Sequence, residues 1–175
     1  YCVFNDLAIC AIKSIKDYKY INNVLIIDLD VHQGDGTASI LKNHRNIFTF
    51  SMHCENNFPL KKMKSDLDIP LAKGMKDNQY LDILQKNIET FKKTKFDLIL
   101  FQAGVDILNQ DSLGYLKISR EGIKNRNKIV LEFAREKNLP LIVFMGGGYS
   151  KPIQHSVDSF VDLFIQCSKY ANLIN

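Results

Sequence analysis

The chain has 175 residues, 46% hydrophobic and 24% charged, which suits one domain with a buried core and excludes a disordered chain. Its net charge of +4 comes from scattered lysines. The densest group, Lys61, Lys62 and Lys64, is too short a stripe for a nucleic-acid or membrane footprint and reads as a solvated loop.

Asn5 or Asp6 caps a predicted helix to about Lys16, with Leu7, Ile9, Cys10, Ala11, Ile12 and Ile15 as its apolar face. The stretch VLIIDLDVHQGDG, Val24 to Gly36, begins as a buried strand. Asp28, Asp30 and His32 then recur every second residue, so a continued strand puts all three on one face. Such groups at the end of a buried strand are costly to desolvate, and a bound cation is the simplest compensator. Gly34 and Gly36 allow a sharp turn, with Asp35 between them as a further acid aimed near the same place. A short helix is predicted over 37–42 and a strand over 47–52, with His53 just past its end. From Cys54 to Asp68 there is no periodicity, only a long loop around Phe58 and Pro59.

Asp77 opens a helix to about Lys93, with Tyr80, Leu81, Leu84, Ile88 and Phe91 at helical spacing. Phe96 to Phe101 reads as a strand and is followed by QAGVD. Ser119 caps a helix to about Glu136 with Ile123, Ile129, Val130 and Phe133 inward. Pro140 to Met145 is the next strand, running into three glycines and Tyr149. Pro152 opens the last helix, whose expected buried stripe is Val157, Phe160, Val161, Phe164 and Ile165. Strands and helices alternate and the apolar runs are continuous, which predicts a three-layer α/β/α domain with a mostly parallel sheet over residues 1–175.

Cys2, Cys10, Cys54 and Cys167 show no CxxC pairing, so neither a zinc ribbon nor a disulfide framework is indicated. Reduced thiols fit a cytoplasmic protein, or a nuclear one if the source is eukaryotic. No apolar run approaches ~18 residues, and the first residues carry no basic n-region, so no membrane partner is expected. The chain does not begin with Met, which leaves an upstream segment open.

Ligands of open parallel sheets bind beyond the carboxyl ends of the strands. There the chain offers Asp28, Asp30 and His32 after one strand, Gly104 and Asp106 after another, and Gly146 to Tyr149 after a third. A catalytic zinc takes three protein ligands, and Asp30, His32 and Asp106 supply such a set. Taken singly, an aspartate at a strand end is a turn or helix cap, and a lone histidine is a hydrogen-bonded surface or core residue. Asp28 either orients a catalytic histidine or holds a monovalent cation. Tyr149 is either a lid over a tight turn or a phenol pointing into a pocket. His44 and His155 read as surface residues, and Cys54 and His53 should diverge as neighbours. Ser51 is a structural or cation-binding hydroxyl, and no phosphate-loop lysine follows GGGY.

DLDVHQGDG, QAGVD and GGGY, in this order and spacing, resemble the histone deacetylase and acetylpolyamine amidohydrolase superfamily. FNDLAICA, TFSMH and GVDILNQDSLG resemble it too, and Gln33 points toward class IV-like and bacterial members. The resemblance implies the arginase/deacetylase α/β fold, here the C-terminal part of the catalytic domain and incomplete at the N-terminus. It implies zinc on Asp30, His32 and Asp106, with Fe(II) or Co(II) as other occupants of the same ligands. Tyr149 would hydrogen-bond the acetyl carbonyl and then the oxyanion. Asp28 would orient one catalytic histidine and Asp35 its neighbour. Oxygens around Asp28, Asp30, His32, Ser51 and Met52 match a potassium site. Phe58, Leu113 and Tyr1 match walls of an acyl-lysine tunnel, and Gly104, Gly147 and Gly148 are expected along the substrate.

The family's paired histidines precede the segment that matches Tyr1, and this chain has no adjacent histidine pair. A fragment lacking its general base, nearly inactive and with an aggregation-prone sheet edge, is therefore expected. The expected partner is an acetylated protein, histone or other, or an acetylated amine, with no direct nucleic-acid contact; the sequence leaves the oligomeric state open. A catalytically silent acyl-lysine binding module is the competing reading, and a ureohydrolase would need further aspartates for a second metal.

Overall fold

The computed structural model describes residues 2–171, so expectations for Tyr1 lie outside the described residues. Five strands form one sheet: β1 (Val24–Asp28), β2 (Ile47–Cys54), β3 (Leu67–Leu71), β4 (Leu98–Gln102) and β5 (Leu141–Phe144). The helices are α1 (Asp6–Asp17), α2 (Asp35–Leu41), α3 (Asp77–Phe91), α4 (Arg120–Glu136) and α5 (Gln154–Ala171). The strand order is β3-β2-β1-β4-β5, and every pairing is parallel.

The period of two divides the sheet between two cores. Leu25, Ile27, Phe50, Met52, Ile99 and Phe101 face a large cluster that includes Tyr80, Leu84 and Phe91 of α3 and Ile123, Val130 and Phe133 of α4. Val24, Ile26, Ile47, Leu98 and Leu100 face a smaller one with Leu7, Ala8 and Ala11 of α1 and Leu41 of α2. With both faces covered, the central strands are apolar on both sides, and the expected three layers are what forms.

Several boundaries differ from expectation. β3 falls within and just beyond the predicted loop; LDIPL, with Asp68 and Pro70, carries no strand signal, and it survives because it is an edge strand. β2 runs two residues further than predicted, so His53 lies inside it. The α5 stripe is the largest correction. Only Phe160 of the expected set packs on the core, while Val157, Val161, Phe164 and Ile165 are about half exposed. The buried face instead carries Ser156, Ser159 and Leu163. Small side chains let the helix sit close, and Ser156 and Ser150 exchange hydrogen bonds at 2.8–3.2 Å where the chain enters it.

Candidate metal centre

β1 and β4 are neighbours, with Asp28 paired to Gln102, so the segments leaving the two strands emerge side by side. The strand ends are then stitched together by single backbone bonds. Leu29 N–H donates to the Gln102 carbonyl at 3.1 Å, Ala103 N–H to that of Phe144 at 2.9 Å, and Val105 N–H to that of Gly147 at 2.7 Å. Three segments that are distant in sequence are thereby held at one rim.

At that rim Asp30, His32 and Asp106 each offer a donor atom, all within 4.8 Å of one another. His32 Nδ1 lies 3.1 Å from Asp30 Oδ1 and 3.2 Å from Asp106 Oδ2. Two donors held at zinc-ligand distances with tetrahedral angles stand about 3.3 Å apart, so the spacing fits one shared cation. One imidazole and two carboxylates also suit zinc or Fe(II) as a donor set. Backbone N–H groups also hold the carboxylates: Asp30 accepts from His32 N–H at 3.0 Å and Gly147 N–H at 3.0 Å, and Asp106 from Val31 N–H at 2.9 Å. These bonds aim the oxygens before anything binds.

The electrostatics agree. Burial, then the charge of Asp30, pushes Asp106 up to about 7. Burial alone would lower His32, but hydrogen bonds to Asp106 and Asp30 outweigh it and push it up to about 10. For Asp30, burial is outweighed by hydrogen bonds from His32, Asp106 and the Gly147 N–H, and its carboxyl is held low. Anionic oxygens thus gather at one point and draw positive charge to it, which is the condition a cation site needs.

Two glycines make this crowding feasible. A Cβ on Gly147 would overlap Asp106 Oδ2, and one on Gly104 would overlap Asp30 Oδ2. The expectation that they line the substrate stands beside this role, as does that for Gly148, where a Cβ would meet Val105 and Ser156.

Around the cluster, the remaining expected residues take distinct positions. Asp28 is buried and outside the three-residue cluster; its Oδ1 accepts from Asp30 N–H at 3.1 Å. Burial, then the charge of Asp30, holds its carboxyl well above the usual range. Ser51 pairs with Asp28 across the β1–β2 ladder, and its hydroxyl lies 2.9 Å from His53 Nδ1. Met52 points the other way into the core, as does Cys54, so His53 and Cys54 diverge as expected. Asp35 sits partly exposed in the first turn of α2, outside the cluster. Phe58, Leu113 and Tyr149 are 49%, 52% and 61% exposed.

In the sequence, Gln33 and the segment containing Asp111 are noted only for their resemblance and Asn57 is passed over; the part these three play in tying the loops together is not legible there. Asp111 accepts hydrogen bonds from the N–H groups of Leu113, Gly114 and Tyr149 at 2.7–2.8 Å, tying the Tyr149 backbone to the Leu113 loop. Asn57 donates to the Leu113 carbonyl at 2.8 Å and accepts from Tyr115 N–H at 3.0 Å, joining the Phe58 loop to the same place. Gln33 pins that loop from behind through Met63 and Asp68. An aspartate before Ser-Leu-Gly was the one local cue, since such side chains cap turns.

Known proteins are similar to this chain in sequence and in fold. The chain is 44% identical over 158 residues to an uncharacterised protein of Picosynechococcus sp., covering 90% of this chain and 52% of that one. It is 34% identical over 155 residues to histone deacetylase 2 of Arabidopsis thaliana, covering 86% of this chain and 40% of that one. A crystal structure of an HDAC homologue complexed with SAHA superposes with a TM-score of 0.78 at 27% identity, over 92% of this chain and 45% of that one. The chain thus spans about half the length, or less, of these relatives. Residues 1–164 match the family described as the histone deacetylase domain, and with the parallel sheet and the rim now in place, the chain belongs to that family.

Proposed function

We propose that these residues are the metal-binding part of a zinc-dependent deacetylase that hydrolyses the acetyl amide of acetyl-lysine in histones or other proteins. The observation that carries the reading is the convergence of Asp30, His32 and Asp106 at 3.1 and 3.2 Å about one point. Zinc held there would supply a Lewis acid for the amide carbonyl and a bound water of lowered pKa. Fe(II) is the alternative occupant.

The chain's own groups do the rest. Tyr149, exposed at the rim with its backbone held by Asp111, donates its phenol hydrogen to the acetyl oxygen and more strongly to the oxyanion that develops there. Phe58 and Leu113 flank the acyl-lysine stem. Asp28 and Asp35 orient the general bases, a histidine pair supplied by sequence outside these 175 residues. Oxygens of Asp28, Ser51 and Met52 would hold a potassium ion. Without the base, these residues alone turn over about 100- to 10,000-fold more slowly than the whole enzyme.

Zinc binding is measured on this chain, and hydrolysis of acetyl-lysine peptides and acetylpolyamines on the protein as its gene encodes it. Asp106→Ala should abolish both zinc binding and hydrolysis. Tyr149→Phe should keep zinc and lose about 100- to 1,000-fold in kcat. Preference for acetylpolyamines would move the substrate to small amines. Zinc and peptide binding without turnover would replace the hydrolase by an acyl-lysine binding module.

A further inference from the structure

Beneath the metal centre lies a residue that the proposed chemistry has not used. Arg126 on α4 is completely buried, a state almost confined to guanidinium groups with carboxylate partners. Its hydrogen bonds go to uncharged oxygens instead. Nη1 donates to the Gly104 carbonyl at 2.5 Å and reaches that of Leu29 at 3.5 Å; Nη2 donates to the Ala103 carbonyl at 3.3 Å. Nε and Nη2 share Asn127 Oδ1 at 3.0 and 2.7 Å, and the Phe101 ring centroid lies 5.5 Å from the guanidinium carbon.

The positions of those carbonyls matter more than their number. Leu29 immediately precedes Asp30, and Ala103 and Gly104 lead into Val105 and Asp106. One rigid fork therefore spans the two backbone segments that carry the two carboxylate ligands. Gly104 is also where a Cβ would strike the Asp30 carboxylate, so a small shift there is transmitted directly to a ligand.

Resting on the metal-centre reading above, we propose that Arg126 is a positioning residue for the metal. Its guanidinium fixes the Leu29, Ala103 and Gly104 carbonyls, and through them the Asp30 and Asp106 carboxylates, at the spacing one divalent cation requires. Lysine keeps the charge but cannot reproduce a planar fork that reaches two strand ends at once.

The test is zinc affinity by competition with a chromophoric chelator, together with the visible absorption of the Co(II)-loaded chain and the melting temperature of the metal-free chain. Arg126→Lys should weaken zinc about 10- to 100-fold and alter the Co(II) spectrum, as losses of outer-shell partners do. Arg126→Met should weaken zinc further. If the methionine variant does not fold, the lysine variant carries the test alone. Unchanged zinc affinity and Co(II) spectrum in Arg126→Lys, with only a lower metal-free melting temperature, would make Arg126 a packing residue and overturn the proposal. Failure of the unsubstituted chain to bind zinc would instead remove the metal centre itself, and the proposal with it.

Discussion

At the scale of single residues, the metal centre depends on side chains that are absent as much as on those present. Gly147 both donates its N–H to Asp30 and leaves the space that Asp106 Oδ2 occupies. Gly147→Ala should therefore weaken zinc binding by at least about tenfold. Because the added methyl strikes a buried carboxylate that the Val31 N–H also holds, the metal-free melting temperature should fall as well. Affinity by chelator competition and melting by circular dichroism check the two halves; an unchanged affinity would remove the steric argument. Asp30 and His32 were legible as an acid and an imidazole just past an apolar run, although β1 ends at Asp28, so the continued strand expected to bring all three onto one face does not form and Asp28 stays outside the cluster; Asp106 was legible because it too follows an apolar run. Arg126, Asn57 and Gln33 were not, because the carbonyls Arg126 reaches lie 22–97 residues away and the side-chain partners of Asn57 and Gln33 lie 56–58 and 30–35 residues away. Arg126 did leave a trace: it falls three residues after Ile123 and four before Val130, on the buried face of α4.

At the scale of elements, α4 shows how one cap can join two helices. Ser119 Oγ accepts from Gly122 N–H at 3.0 Å, capping α4, and donates to Asp77 Oδ2 at the first residue of α3. The Ser119 N–H donates to the other Asp77 oxygen at 2.8 Å. Both helices begin at one carboxylate–hydroxyl pair, and they carry Tyr80 and Arg126 inward over the sheet. Ser119→Ala removes the cap and a partner of Asp77, and should cost about 1–2 kcal/mol. For a chain of this size that lowers the melting temperature by roughly 2–8 °C. A loss within error would show that the backbone N–H contact to Asp77 suffices. Helices with one clean stripe, α3 and α4, are legible in sequence because burial and period coincide. The α5 stripe is not, because apolar residues occur on two of its sides, and hydropathy cannot say which one meets the sheet. β3 leaves no signal because an edge strand needs backbone partners rather than an apolar pattern.

At the scale of the whole molecule, the two sheet edges are not alike. β3 at one edge carries Pro70 and Asp68, features that discourage a further strand. β5 at the other edge reads LIVF, with Ile142 still 42% exposed and no charge or proline to blunt it. Beside it in sequence, α5 exposes Val157, Val161, Phe164 and Ile165, a stripe at helical spacing with no covering element among the described residues. An apolar helix stripe and an unprotected strand edge are the two surfaces through which folded chains associate. These 175 residues, prepared alone, should therefore self-associate at concentrations of about 100 μM, seen as a mass above that of one chain in sedimentation velocity. Because the attraction is apolar, raising the salt should strengthen it or leave it unchanged, whereas charge-driven association would weaken. Replacing Val161 and Phe164 together by serine should shift the distribution toward one chain without lowering the melting temperature, since neither side chain is buried in the core. A chain that sediments as a single copy at that concentration, with both residues intact, would show that these surfaces are too small or too dispersed to associate.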